Sequence, residues 1–217
     1  MFRFPFVTAV ISSLLSALLV SVFSSSVLEA APRNAFPGRR VGGGTRGECA
    51  ARPVVHLVPA SNVFSPGVAR LIAVLEGPSP DPQPLDVTLR SASVKGIVEP
   101  DAAPLMHKQV PAAVNRLVLL SIPAATEPIL WESSYRCGGD DGGDEFGFIT
   151  TSAPPARSLL LPDGSPEAQN RSQQSELAAL KAACSTSTPL GPLKARFQLD
   201  DVVIDDSWPE QVTVQCF

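Results

Sequence analysis

The chain is poor in the side chains that most enzymes use for acid–base work. It has two histidines in 217 residues, His56 and His107, and no Gly-x-Ser-x-Gly elbow to present a nucleophilic serine. It has no Cys-x-x-Cys pair and no histidine near a cysteine, so a zinc site lacks its usual ligand spacing. Positive charge is not in excess. The formal net charge is −4, which removes the electrostatic case for nucleic-acid binding. No internal repeat is visible, and after residue 30 no apolar run is long enough to suggest a membrane span.

What is present describes an exported globular chain. Arg3 is followed by an uncharged, serine-containing apolar stretch from Val7 to Phe23, and Ala30 is a suitable last residue before cleavage. Residues 1–30 therefore read as a signal peptide and residues 31–217 as a single β-rich domain. The protein would touch a membrane only through that first segment, were it left uncleaved. No cysteine follows the apolar run, so a lipid-anchored form is not supported. Hydrophobic residues make up 44% and charged residues 18%, enough for a sizeable core. The 22 prolines fall mostly between apolar runs, which favours short strands and stiff turns over long helices.

Export makes disulfides the natural reading of Cys49, Cys137, Cys184 and Cys216. Four cysteines allow three pairings. Cys49 with Cys137 and Cys184 with Cys216 is favoured, because each pair closes its own half of the chain. Each would stabilise the fold by roughly 4 kcal/mol on the chain-entropy argument.

Hydrophobic periodicity supplies the strands. Val54–Val58 is the first candidate, ended by Pro59, and Ala69–Leu75 the second, ended by Gly77-Pro78. Leu85, Val87 and Leu89 alternate with Asp86, Thr88 and Arg90, the pattern of a half-buried strand. Val94–Val110 is less regular, with prolines at Pro100 and Pro104, and reads as loop around a short strand, and Leu117–Ile122 is an aliphatic run suited to a central strand. In Ile129–Cys137, Trp131, Tyr135 and Cys137 share one face while Glu132, Ser134 and Arg136 share the other. Further strands are expected at Phe146–Thr151, Ser158–Leu161, around Ala195, Phe197 and Leu199, and at Val212, Val214 and Cys216. One helix is expected, capped by Ser165 and running to about Cys184, with Leu177, Leu180 and Cys184 on its docking face. The expected fold is mainly β: an antiparallel β-sandwich with one helix in the C-terminal half and two disulfides.

Pro37 to Cys49 reads Pro-Gly-Arg-Arg-Val-Gly-Gly-Gly-Thr-Arg-Gly-Glu-Cys. It sets Arg39, Arg40 and Arg46 on a glycine-rich backbone and makes them the candidate binding residues. Glycine amides and arginines suit an anion, but no Lys-Ser/Thr ending and no helix pattern follow, so a structural turn is the plainer reading. This run and Val58-Pro59-Ala60-Ser61-Asn62 resemble the opening signature of a cyanobacterial secreted family catalogued as domain of unknown function 928. A looser likeness covers Leu120-Ser121-Ile122-Pro123 and Leu130–Cys137. The resemblance implies a secreted β-rich domain and no known chemistry. Leu71–Leu75 stands where that family has an aromatic-rich strand.

Two acidic groups invite a metal. Asp140, Asp141, Asp144 and Glu145 lie on a glycine-flexible loop and supply the hard oxygen ligands calcium prefers, though without EF-hand spacing. Gly142–Phe146 also matches the short signature of diguanylate cyclases by chance, since no Asp occurs upstream in Leu117–Cys137. Asp200, Asp201, Asp205 and Asp206 form the second group and read as a solvated turn. His56 alternates within an apolar strand and reads as a surface or satisfied residue, and His107 as a loop residue. The sequence thus points to a periplasmic or extracellular envelope module without enzymatic activity, binding an envelope protein or serving a structural role. The alternatives are a calcium-dependent binding domain using the Asp140–Glu145 loop, or an extracytoplasmic hydrolase using His56 or His107.

Overall fold

A computed structural model describes residues 36, 38–43, 52–135, 154–162, 168–203 and 207–217. The strands are β1 (Val41–Gly42), β2 (Val54–His56), β3 (Val63–Phe64), β4 (Leu71–Glu76), β5 (Leu85–Ser91), β6 (Met106–Val110), β7 (Arg116–Ser121), β8 (Ile129–Tyr135) and β9 (Ala156–Leu160). Helix α1 (Ala168–Ala182), β10 (Ser187–Pro189), α2 (Leu190–Phe197) and β11 (Gln211–Cys216) complete the order. One sheet runs β1-β2-β4-β7-β11-β10 and the other β3-β9-β8-β5-β6. The pairing is antiparallel except for β7 with β11 and β3 with β9, which are parallel.

Side-chain alternation decides what lies between the sheets. From the five-stranded sheet, Leu85, Val87 and Leu89 of β5 stand beside Tyr135, Ser133 and Trp131 of β8, all buried. From the six-stranded sheet, Ile72, Val74 and Glu76 of β4 pair with Leu120, Val118 and the position of Arg116 on β7. The opposite faces of β4 and β7 are buried too, which explains their unbroken aliphatic runs: α1 packs against both strands with Leu177 and Leu180 inward. Leu190, Leu193 and Phe197 of α2 enter the same core.

Residues 38–43 join the two sheets along one side. β1 pairs with β2, while the Arg157 amide donates to the Arg39 carbonyl at 2.7 Å and the Gly43 amide to Pro154 at 3.0 Å. The crossing demands close backbone approach. A Cβ at Gly42 would lie 2.2 Å from the Ala156 amide nitrogen, and Gly43 sits at φ +86° with the Arg52 carbonyl where a Cβ would point.

The remaining edges are blunted. β3 and β10 are very short, β10 ends on Pro189, and β6 turns Lys108 toward the inter-sheet side, where its ammonium lies 5.4 Å from the Phe217 ring. Short edges, an edge proline and an inward lysine all oppose sheet-to-sheet aggregation.

Several expectations are corrected. Ala195, Phe197 and Leu199 do not form a strand. Leu190, Leu193 and Phe197 instead bury one face of α2, and Gln198 at φ 52° ends the helix and turns Leu199 inward. The domain thus has two helices among its described residues, not one. His107 lies on a strand, β6, rather than in a loop. The Cys184–Cys216 disulfide is present with Cα atoms 5.7 Å apart, tying the end of α1 to β11, but Cys216 is exposed rather than inward. One disulfide is seen, not two: Cys49 and Cys137 lie outside the described residues, as do the expected strand Phe146–Thr151 and the Ser165 cap.

Gly42→Ala is expected to lower unfolding free energy by on the order of 3 kcal/mol, measured by urea denaturation, because backbone must move to admit the methyl. An unchanged midpoint would mean that the two sheets are not joined here. Cys184→Ser is expected to lose roughly 4 kcal/mol, with no further loss on adding reductant beyond that of any other disulfide.

Candidate functional site

Three of the buried charged residues gather at one knot. Arg52 precedes β2, Glu76 ends β4 and Arg116 begins β7, and all three are at most 4% exposed. Arg116 Nε donates to Glu76 Oε2 and its Nη1 donates to Gln215 Oε1 at 3.0 Å. Arg52 Nη1 lies 3.3 Å from Glu76 Oε1, and its Nε donates to the Gly77 carbonyl at 2.7 Å. Tyr135, from the other sheet, stacks its ring 5.1 Å from the Arg52 guanidinium and donates to the Pro53 carbonyl at 3.3 Å. Burial pushes the Glu76 carboxyl above its ordinary range, while Arg116 and Arg52 pull it back. Burial and the neighbouring Glu76 raise the Tyr135 phenol further, so it stays protonated. The knot is almost wholly closed to solvent, and its ion pairs tie β4 to β7 and to the residues before β2.

His56 and Ser158 form the one Ser–His contact among the described residues, Nδ1 to Oγ at 2.9 Å. The imidazole lies flat on Trp131, ring centroids 3.5 Å apart, and neither His56 nor Ser158 has measurable exposure. Burial holds the His56 pKa well below its ordinary value. A substrate carbonyl has no path to this pair. His107 is exposed on the outer face of the five-stranded sheet, with Nε2 3.7 Å from Asp86 Oδ1. Nearby on that face Glu132 takes Arg90 at 3.0 Å and Arg157 at 2.8 Å, an array open to solvent.

The three candidate arginines part company. Arg39 is exposed. Arg40 is buried, its guanidinium donating to the carbonyls of Phe197 at 2.8 Å and Gln198 at 2.6 Å, with Asp201 at 3.4 Å. It therefore satisfies the free carbonyls at the C-terminus of α2 and is not offered to a partner. Burial lowers its pKa, against Asp201. Arg46 lies outside the described residues, as do Asp140, Asp141, Asp144, Glu145, Asp205 and Asp206. Asp200 lies 3.4 Å from Lys194. Among the described residues no three acidic, histidine or cysteine side chains converge as a metal site, and no helix is long and apolar enough to cross a membrane.

One end of the sandwich is open. The ends of β3, β4, β7, β8 and β9 surround a cleft of about 530 Å3 lined by Val68, Arg70, Ile122, Glu127, Ile129 and Leu160, together with Pro66, Pro123 and Pro162 in its rim. The rim is held in place from outside. Gln174 of α1 fills the space a Cβ would need at Gly67 and donates to the Ser65 carbonyl at 2.6 Å. Arg70, at φ 49°, donates its amide to Gly67 and accepts from Ile122 at 2.9 Å. The Ala92 amide donates to Pro128 at 2.8 Å, fixing the loop that carries Glu127. Val68 is 90% exposed at the mouth. Arg70 and Glu127 are also exposed there, and neither has an ion-pair partner among the described residues. Sequence reading missed this site because its residues come from separate loops. The one shared signal was a proline at the ends of the apolar runs.

Compared with family models, with curated proteins and with solved structures, the chain matches none.

Glu76→Gln is expected to destabilise by about 3–5 kcal/mol in chemical denaturation, since two buried guanidiniums lose their counter-charge. A loss under 1 kcal/mol would show that the knot carries no such weight. His56 predicts the pH behaviour. Its folded pKa lies below the unfolded value of about 6.5, so its contribution is complete above that pH. It is lost as pH falls toward the folded value, by up to about 1.4 kcal/mol per unit. In His56→Gln the decline of stability between pH 6.5 and 5 should be shallower by that amount; an identical slope would contradict it.

Proposed function

We propose that this protein is an exported binding module of the cell envelope that performs no chemistry and meets its partner at the open end of the sandwich. The observation that carries the reading is the contrast between interior and end. The Ser–His pair and the charged knot are closed to solvent, whereas the end presents a stiff-rimmed apolar cleft with Val68 exposed beside it. A concave apolar site with few polar groups is the usual form of a recognition site. The Cys184–Cys216 disulfide supports an oxidising location, and the signal-like first thirty residues support export. Kinship with the secreted family resembled by Pro37–Asn62 is part of the same proposal.

In-cell crosslinking of the tagged protein, followed by mass spectrometry, tests it. One envelope protein should be recovered repeatedly, and its yield should fall about tenfold in Val68→Asp, an exposed position whose change leaves the core intact. Recovery of that protein at full yield from Val68→Asp would remove the open end as the surface. Turnover of any substrate that survives in the parent but not in His107→Ala would overturn the non-enzymatic reading.

A further inference from the structure

The buried knot is not neutral. Arg52 and Arg116 carry two positive charges into the interior, and Glu76 carries one negative charge. Arginine does not give up its proton, and burial with Glu76 beside it keeps the Tyr135 phenol uncharged. Gln215 adds no charge. One positive charge is therefore left over among the described residues of the knot. The hydrogen bonds leave an excess of the same sign. Both terminal nitrogens of Arg52 and Nη2 of Arg116 are buried with no hydrogen-bond partner among the described residues. The knot has one acceptor in the same state, Glu76 Oε1. Turning Arg52 Nη1 onto that oxygen, 3.3 Å away, would still leave Arg52 Nη2 and Arg116 Nη2 unmet. Arg40 shows the contrast: it is also buried, yet its guanidinium meets two carbonyls and Asp201. An unpaired buried ion costs more than a marginally stable domain can absorb. Water would fill the donors but bring no charge.

We propose that the knot binds one small monovalent anion of the halide class, held by the two terminal nitrogens of Arg52. The rest of that guanidinium is already engaged. Its Nε donates to the Gly77 carbonyl and the Tyr135 ring lies 5.1 Å away, so the Nη1–Nη2 edge is what remains to meet an anion. Arg116, on the other oxygen of the same carboxylate, adds the attraction of its charge. A single negative charge restores neutrality, whereas a divalent anion would reverse the excess. A halide also sheds its water more readily than a carboxylate or phosphate, as a closed interior requires. The anion enters as the sandwich closes and leaves when the domain unfolds, so it stabilises the folded chain by mass action. This site is separate from the open end and does not depend on the binding reading of that end.

Urea unfolding of the full chain over a range of chloride concentrations tests this, with gluconate holding the ionic strength constant. Once chloride exceeds its dissociation constant, the unfolding equilibrium constant should fall about tenfold for each tenfold rise in chloride. Bromide should replace chloride. Arg52→Met removes the excess charge while keeping an unbranched side chain, and the chloride dependence should vanish in it. General effects of the salt act on both proteins alike, so the difference between them reports the site. A second measurement needs no variant: the parent is refolded and crystallised in bromide, and anomalous diffraction should place one bromide against Arg52 Nη1 and Nη2. No chloride dependence in the parent would overturn the proposal, as would the same dependence in Arg52→Met. Water or a side-chain carboxylate in the place of the bromide would overturn it as well.

Discussion

The architecture turns on one buried carboxylate. Glu76 sits between Arg52 and Arg116, so β4 is fixed to β7 and to the residues leading into β2, and Gln215 extends the tie to β11. Burying three charges is not in itself stabilising, because desolvation offsets most of their attraction. Its consequence is register. A one-residue slip of β4 would turn Glu76 to the face that α1 covers and leave both guanidiniums without their anion. Tyr135 reaches the same knot from the second sheet, so the relation between the sheets is set at the same point.

The glycine- and arginine-rich segment belongs to this construction rather than to a surface loop, as far as it is described. Gly42 and Gly43 permit the backbone to pass between β2 and β9, and Arg40 reaches past β2 to close the C-terminus of α2. Permanent charge and five donors make arginine suited to that capping role. The described part of that run, residues 38–43, is in this fold the seam of a sandwich.

Legibility followed the range of the interactions involved. Strict alternation in Leu85–Arg90 and Ile129–Tyr135 gave both the strands and their inward faces, because a half-buried sheet writes its geometry with period two. The run Ala195–Leu199 carried the same alternation by accident. Its true period was visible only on including Leu190 and Leu193, with Pro192 tolerated in the first helical turn. β6 was legible only as a possible short strand within an irregular stretch, because exposed Lys108 interrupts the inward face shared by Met106 and Val110. The role of Arg40 depends on carbonyls at residues 197 and 198, and the cleft on loops far apart in sequence. No local pattern encodes such contacts.

A closed interior is what the account rests on, and the two histidines compare it directly with the outer surface. Brief treatment of the folded protein with an imidazole-acylating reagent, followed by peptide mass spectrometry, would compare them. His107 should be modified readily, and His56, stacked on Trp131 without exposure, should remain unmodified until denaturant unfolds the domain. Modification of His56 in the folded protein at a rate like that of His107 would contradict the account, because the Ser158–His56 pair would then be open to a substrate.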